Sequence, residues 1–281
     1  MKQLVVSVFL LVWSSMVVMS AHAATFRLGV PPFLESKQLQ EVYQPLAKFL
    51  SEVSGEDIQL ALSPNFPAYW QRLNTNKFDL VMDAAHLVDY RLEFLNHTLL
   101  VKAEGILSFS LVTAPNKLVL DPEELTGKAV AMLPLPNMGA VQLDKLFPNP
   151  VRYPSIVEVA TANEAVAMLR SGKAVGAYIP TPMAGANPDL NTVLTTEAFP
   201  NAGLTARDTV PVDVQNKIRD ALVNATANER GRKLLEDVRI SAFELANKNT
   251  YKGYNVWLRD MWGYKGKKKL AGSGPAVSQN K

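Results

Sequence analysis

Apolar and polar positions change period several times along the chain, and the changes mark elements. Thr25-Phe26-Arg27-Leu28-Gly29-Val30 alternates and is stopped by Pro31-Pro32, which predicts a strand. Beyond Ser36, a candidate N-cap, Leu39, Val42, Leu46, Phe49, Leu50 and Val53 recur at helical spacing, and Gly55 stands where a helix-terminating glycine belongs. Ile58 to Leu62 predicts a second strand, and Tyr69, Trp70 and Leu73 a short helix. Phe78, Leu80, Val81 and Met82 form a third strand, followed by a helix carrying Leu87, Tyr90, Leu92 and Phe94. The order βαβαβα predicts an α/β unit with helices over a mostly parallel sheet.

From Ile106 to Thr113 a longer β-rich run predicts a crossing strand, after which the pattern restarts. Asp121 to Leu125 reads as a helical turn, Lys128 to Met132 as a strand, and Asn137 to Leu146 as a helix. A helix over Asn163–Ser171 ends at Gly172, a strand follows over Ala174–Ile179, and Pro180 and Pro182 break the chain. Thr192 to Leu194 is a brief extended piece, and Ala198 to Arg207 reads as a return crossing. Pro211 suits a first helical turn, with Val214, Ile218, Leu222 and Ala225 on one face and Leu234, Leu235 and Val238 continuing the helical part. Tyr251, Tyr254, Trp257, Leu258 and Trp262 predict an aromatic stripe on a last helix, packed in the core.

The first residues set the compartment. Lys2 is followed by an uncharged apolar stretch from Leu4 to Met19 and by Ala21-His22-Ala23, the small-x-small form that precedes signal-peptidase cleavage. A signal peptide over 1–23, a mature chain from Ala24 and a periplasmic location are expected. The chain has no cysteine, which excludes disulfides, thiolate metal sites, a Cys nucleophile and a lipid-tethered cleavage site. Its 281 residues, 48% hydrophobic, can build a large core. The formal charge of +3 becomes +2 without Lys2 (28 basic against 26 acidic residues), so nucleic acid is not an expected partner. The basic excess is local, in Lys265-Gly266-Lys267-Lys268-Lys269, and 265–281 reads as a disordered tail.

Candidate chemistry collects at predicted strand ends. In open α/β sheets ligands sit at the carboxyl edges of the strands. Asp83 and His86 fall at such an edge, where Asp83 is either a ligand contact or a helix cap. Tyr43, Tyr69 and Tyr178 fall near other edges, with core packing as the alternative for each. After removal of His22 only His86 and His97 remain, and neither lies in a nucleophile motif, so neither an enzyme nor a zinc site is expected. Met82, Met132, Met138 and Met183 fall near strand ends close to His86, a thioether-imidazole set that would suit Cu(I) if it converged. Ordinary apolar packing of these methionines is the alternative, and no metal or other cofactor is expected.

With this plan in view, the chain resembles the phosphate/phosphite/phosphonate-binding family of ABC-transporter periplasmic proteins. The resemblance lies in Tyr43-Gln44-Pro45-Leu46-Ala47-Lys48-Phe49-Leu50 followed by Gly55, and in Lys77-Phe78-Asp79-Leu80 leading into a strand. Gly105 before the long strand, Leu125-Thr126-Gly127-Lys128-Ala129-Val130-Ala131, and Ala165-Val166-Ala167-Met168-Leu169-Arg170-Ser171-Gly172 complete it. The resemblance implies a two-lobed type II periplasmic-binding fold, each lobe a mostly parallel sheet flanked by helices, joined by two crossing segments. Lobe 1 would comprise 24–112 and 203–264, and lobe 2 residues 113–202. It also implies a monomer that clamps a small anionic ligand and presents it to an ABC permease. Phosphonate binders carry a Ser/Thr-rich turn before the second-lobe helix, where this chain has Leu133-Pro134-Leu135-Pro136-Asn137-Met138-Gly139-Ala140. Asn137 and the amides of Met138 and Gly139 would then meet the anion without hydroxyls. Val175 stands where the family often has an acid, and Thr161-Ala162-Asn163 where it has a histidine. The expected ligand contacts are Tyr43, Asp83, His86, Asn137, Met138, Gly139 and Tyr178. Because the hydroxyls are missing, a non-transport accessory or sensor role on the same fold, such as assembly of a redox or metal enzyme, stays open beside transport.

Overall fold

The computed structural model describes residues 24–134 and 138–258. The expected signal peptide, Asn137, Trp262 and the basic tail lie outside the described residues. The first segment gives β1 (Thr25–Gly29), α1 (Ser36–Ser54), β2 (Asp57–Leu60), α2 (Phe66–Asn74), β3 (Leu80–Asp83), α3 (Ala85–Phe94), β4 (His97–Ala103) and β5 (Ile106–Leu107). The middle segment gives β6 (Phe109–Thr113), β7 (Ala129–Met132), α4 (Met138–Leu146), β8 (Ser155–Glu158), α5 (Ala162–Arg170), β9 (Gly176–Pro180), α6 (Thr181–Gly185) and β10 (Asn191–Thr195). The return gives β11 (Phe199–Pro200), β12 (Gly203–Arg207), α7 (Val212–Val223), α8 (Glu229–Val238), β13 (Phe243–Glu244) and α9 (Lys248–Tyr251).

Two sheets divide these strands into the two expected lobes. The first has the order β13-β4-β12-β3-β1-β2, the second β10-β6-β9-β7-β8. β1 runs parallel to β2 and β3, and β7 parallel to β8 and β9. The reversed strands include β6 and β12, the first that the chain enters after each crossing. Between the sheets β5 and β11 pair antiparallel, Leu107 opposite Phe199 and Ile106 opposite Pro200, so the two crossings form one narrow ribbon. Residues 109–112 therefore belong to the second sheet, against the expected boundary at 112. The apolar run from Ile106 to Thr113 is two strands parted at Ser108, and its unbroken hydrophobicity hides the change of sheet.

Local chemistry accounts for most elements. Gly55 closes α1 at φ 81°, a left-handed conformation open to glycine. Pro45 lies inside that helix and leaves the Glu41 carbonyl without its usual donor, but Glu41 is exposed and water can serve it. Asn65 caps α2 through the Ala68 N–H, and Thr161 caps α5 through that of Glu164. The expected last helix is not continuous: α9 stops at Tyr251, and Gly253 takes φ 95°. There one Asp89 carboxylate oxygen accepts the Gly253 and Asn255 backbone N–H groups and the Asn255 side-chain amide, at 3.0, 2.9 and 2.6 Å. The stripe still packs as expected, with Tyr251 and Leu258 buried and Tyr254 and Trp257 half-buried.

The core is continuous across the ribbon. One apolar cluster contains Ala85 and Val88 of α3, Phe199 of β11, Tyr251 of α9, and Phe109, Leu111, Met138 and Tyr178 of the second lobe. The segment after α9 spans the same junction, because Trp257 lies edge-on to Phe199 and its ring carries the Lys145 ammonium of α4 at 4.0 Å.

Candidate functional site

Strand β3 delivers Asp83 to the carboxyl edge of the first sheet, where it is 2% exposed. Its Oδ2 accepts the Tyr69 hydroxyl and, at 2.9 Å, Nη1 of Arg91, while Oδ1 accepts the Ala84 N–H at 2.8 Å. Helix α3 has no side-chain cap, so Asp83 serves a buried ion pair instead. Burial pushes the Asp83 carboxyl up, and Arg91 and Tyr69 pull against that rise. Arg91 also donates from Nε to Thr205 Oγ1 at 3.0 Å, and that hydroxyl lies 3.1 Å from His97 Nδ1. Burial, then the charges of Arg91 and Arg207, push His97 down to about 3. Tyr43 of α1 stands on the same side of the lobe, its phenol pushed up by burial and then by the Asp83 charge.

A cavity of about 190 Å³ lies between the lobes, lined by Pro32, Phe33, Leu34, Glu35, Phe66, Leu133, Pro134 and Ala160. These residues follow β1, β2, β7 and β8, so it opens on the carboxyl ends of strands from both sheets. Two aromatic pairs tie it to the polar cluster. Phe33 meets Tyr43 edge-on at 6.3 Å and Phe66 meets Tyr69 edge-on at 6.3 Å, with Tyr69 bonded to Asp83. A larger space of about 500 Å³ lies beside the ribbon, bordered by Gln142, Lys145, Glu197, Tyr254 and Trp257 among others.

A family model described as "ABC transporter, phosphonate, periplasmic substrate-binding protein" matches residues 28–251. The chain belongs to this family. Its members are substrate-binding components of transporters. Among solved structures it is similar to PhnD1 of Prochlorococcus marinus in complex with methylphosphonate, at TM-score 0.70 and 13% identity over 84% of this chain and 98% of that one. A Xanthomonas citri protein bound to ATP aligns at TM-score 0.70 and 10% identity over 85% and 98% of the two chains. A binding-protein component of an ABC phosphonate transporter from Pseudomonas aeruginosa aligns at 0.66 and 14% identity over 82% and 83%. At such identities these likenesses show the fold, a two-lobed type II periplasmic-binding architecture. No curated protein matches the sequence.

Within that architecture the expected contacts separate. Tyr43 lies near enough to Asp83 to feel its charge, and Tyr69 bonds Asp83 directly. His86 is 1% exposed within α3. Met138 and Gly139 are buried at the start of α4. Tyr178 is stacked on Phe109 at 5.5 Å and donates to Gln142 Oε1 at 3.4 Å, which makes it a core residue. The thioether set does not converge: Met82 lies in the first-lobe core, Met132 and Met138 in the cluster across the ribbon, and Met183 against a third. Among the described residues no three His, Cys, Asp or Glu side chains are grouped to hold a metal ion. Arg91 and Thr205 escaped the sequence reading because nothing local marks them. Phe33 and Phe66 each stand beside a proline, a pattern that reads as a stop signal.

Proposed function

We propose that this protein is an exported solute receptor that holds a small, anionic, phosphonate-like ligand between its lobes and presents it to an ABC permease. The observation that carries the reading is the cavity shared by both lobes at the carboxyl ends of both sheets. Family membership supports transport over the accessory role. Among the described residues no lysine or arginine lines the cavity, and Arg91 is held through Nη1 by Asp83 and through Nε by Thr205. Recognition of the anion thus falls to neutral donors: the Tyr43 hydroxyl and the first amides of α4, at Met138 and Gly139, with Asn137 just before them. Closure works by bending at the paired crossings, and ligand contacts with both lobes favour the closed state by their differential affinity. Export implies cleavage before Ala24, which N-terminal sequencing of the exported protein checks.

The test is a thermal-shift screen of the chain from Ala24 against phosphate, phosphite, methylphosphonate, sulfate and small carboxylates. A ligand at a hundred times its Kd adds about 2.7 kcal/mol. For a chain of this size that raises Tm by roughly 5–10 °C. A rise with a phosphorus oxyanion, reduced by Tyr43→Phe, supports the reading; no rise with any anion overturns it.

A further inference from the structure

We infer that the interlobe cavity is a specificity pocket for a hydrocarbon arm on the ligand, with Phe33, Phe66, Leu133 and Pro134 as its specificity-determining residues. The inference rests on the proposal that the ligand lies between the lobes, and it narrows the class of ligand.

Seven of the eight lining residues are apolar, and the single charge is the carboxylate of Glu35. An apolar lining favours apolar groups, whose burial releases their water. A bare oxyanion placed against these side chains would lose its water without gaining a side-chain donor. A hydrocarbon arm loses nothing by entering, and each methylene buried tightens binding about fourfold. At roughly 30 Å³ for a methylene- or water-sized group, about 190 Å³ holds an arm of up to about six such groups. The same aromatic pairs connect the cavity to the polar cluster. Phe33 abuts Tyr43 and Phe66 abuts Tyr69, so a head at the Tyr43 hydroxyl leaves an arm between the two phenylalanines, under Leu133 and Pro134 of the opposite lobe.

Titration calorimetry on the chain from Ala24 tests this with phosphate and with methyl-, ethyl-, propyl- and butylphosphonate, beside the matching n-alkyl carboxylates. The expected result is a Kd that falls about fourfold per methylene up to butyl. Phe66→Ser in one lobe and Leu133→Ser in the other should each flatten that gradient. Equal affinity for phosphate and butylphosphonate, or a gradient that survives both variants, overturns the inference and leaves the receptor standing. A gradient among carboxylates with no binding of any phosphorus acid supports the pocket and overturns the phosphonate-like head. No binding in either series overturns both.

Discussion

Replacing Arg91 by Met tests the polar foundation of the first lobe. Arg91 and Asp83 both have side chains at 0% exposure and meet at 2.9 Å. The variant keeps the apolar stem but strands the carboxylate, which retains the Tyr69 hydroxyl and the Ala84 N–H and loses its counter-charge. Breaking such a buried pair from one side costs about 3–5 kcal/mol. For a chain of this length that is a fall in Tm of roughly 6–20 °C. A buried pair replaced by apolar groups on both sides is often neutral, so Asp83→Leu combined with Arg91→Met should recover at least half of the loss. Urea unfolding followed by far-UV circular dichroism on the two single variants and the double variant closes the cycle. A loss under about 1 kcal/mol for Arg91→Met, or a double variant that costs the sum of the singles, would refute the reasoning.

The native His97 imidazole is pushed down to about 3 from an ordinary value of 6.5. Between those values the unfolded chain binds a proton that the native state refuses, so this group's contribution is lost as pH falls below 6.5, at up to about 1.4 kcal/mol per unit. Asp83 and Asp89, both raised by burial, act in the opposite sense. The difference between the native protein and His97→Gln in urea unfolding at pH 7 and 5 isolates the histidine, at about 2 kcal/mol, and equal pH dependence would contradict it. A Cβ at Gly231 would stand 2.1 Å from the Ala225 carbonyl oxygen, so Gly231→Ala should cost about 1–3 kcal/mol or more in a thermal melt. Trp257→Ala removes the bridge from Phe199 to Lys145 and, at half burial, should cost about 2 kcal/mol; an unchanged Tm would show that the segment after α9 carries no load.

What the sequence revealed followed local signals, and what it concealed was non-local. Helix α1 was bounded by its apolar spacing and Gly55, and the strand-to-helix step at Asp83 by a change of period. The partners of Asp83 come from Tyr69, fourteen residues earlier, and from Arg91, whose Nε is held by Thr205 across 114 residues. Such a network has no periodicity to read. Strand β8 is half-exposed and only four residues long, and β4 begins at His97 directly after a helix with no glycine or proline between, so neither gave a strand signal. His86 and Tyr178 read as strand-end residues, but His86 lies in the first turn of α3 and Tyr178 in the middle of β9, and both are buried. The cavity walls were spelled out as Pro-Phe, Phe-Pro and Leu-Pro, residues whose first message is where elements begin and stop.

The closure itself can be measured most directly as a distance across the cavity. Lys37 and Asn163 are exposed on opposite lobes beside Glu35 and Ala160 of its lining, and a chain without cysteine accepts labels at these two positions alone. Spin labels on Lys37→Cys and Asn163→Cys, read by pulsed electron resonance with and without saturating methylphosphonate, report how the lobes sit. Ligand held between the lobes predicts a shorter and narrower distance distribution when it is bound. An unchanged distribution, with binding confirmed on the same sample by calorimetry, would contradict a receptor that closes on its ligand.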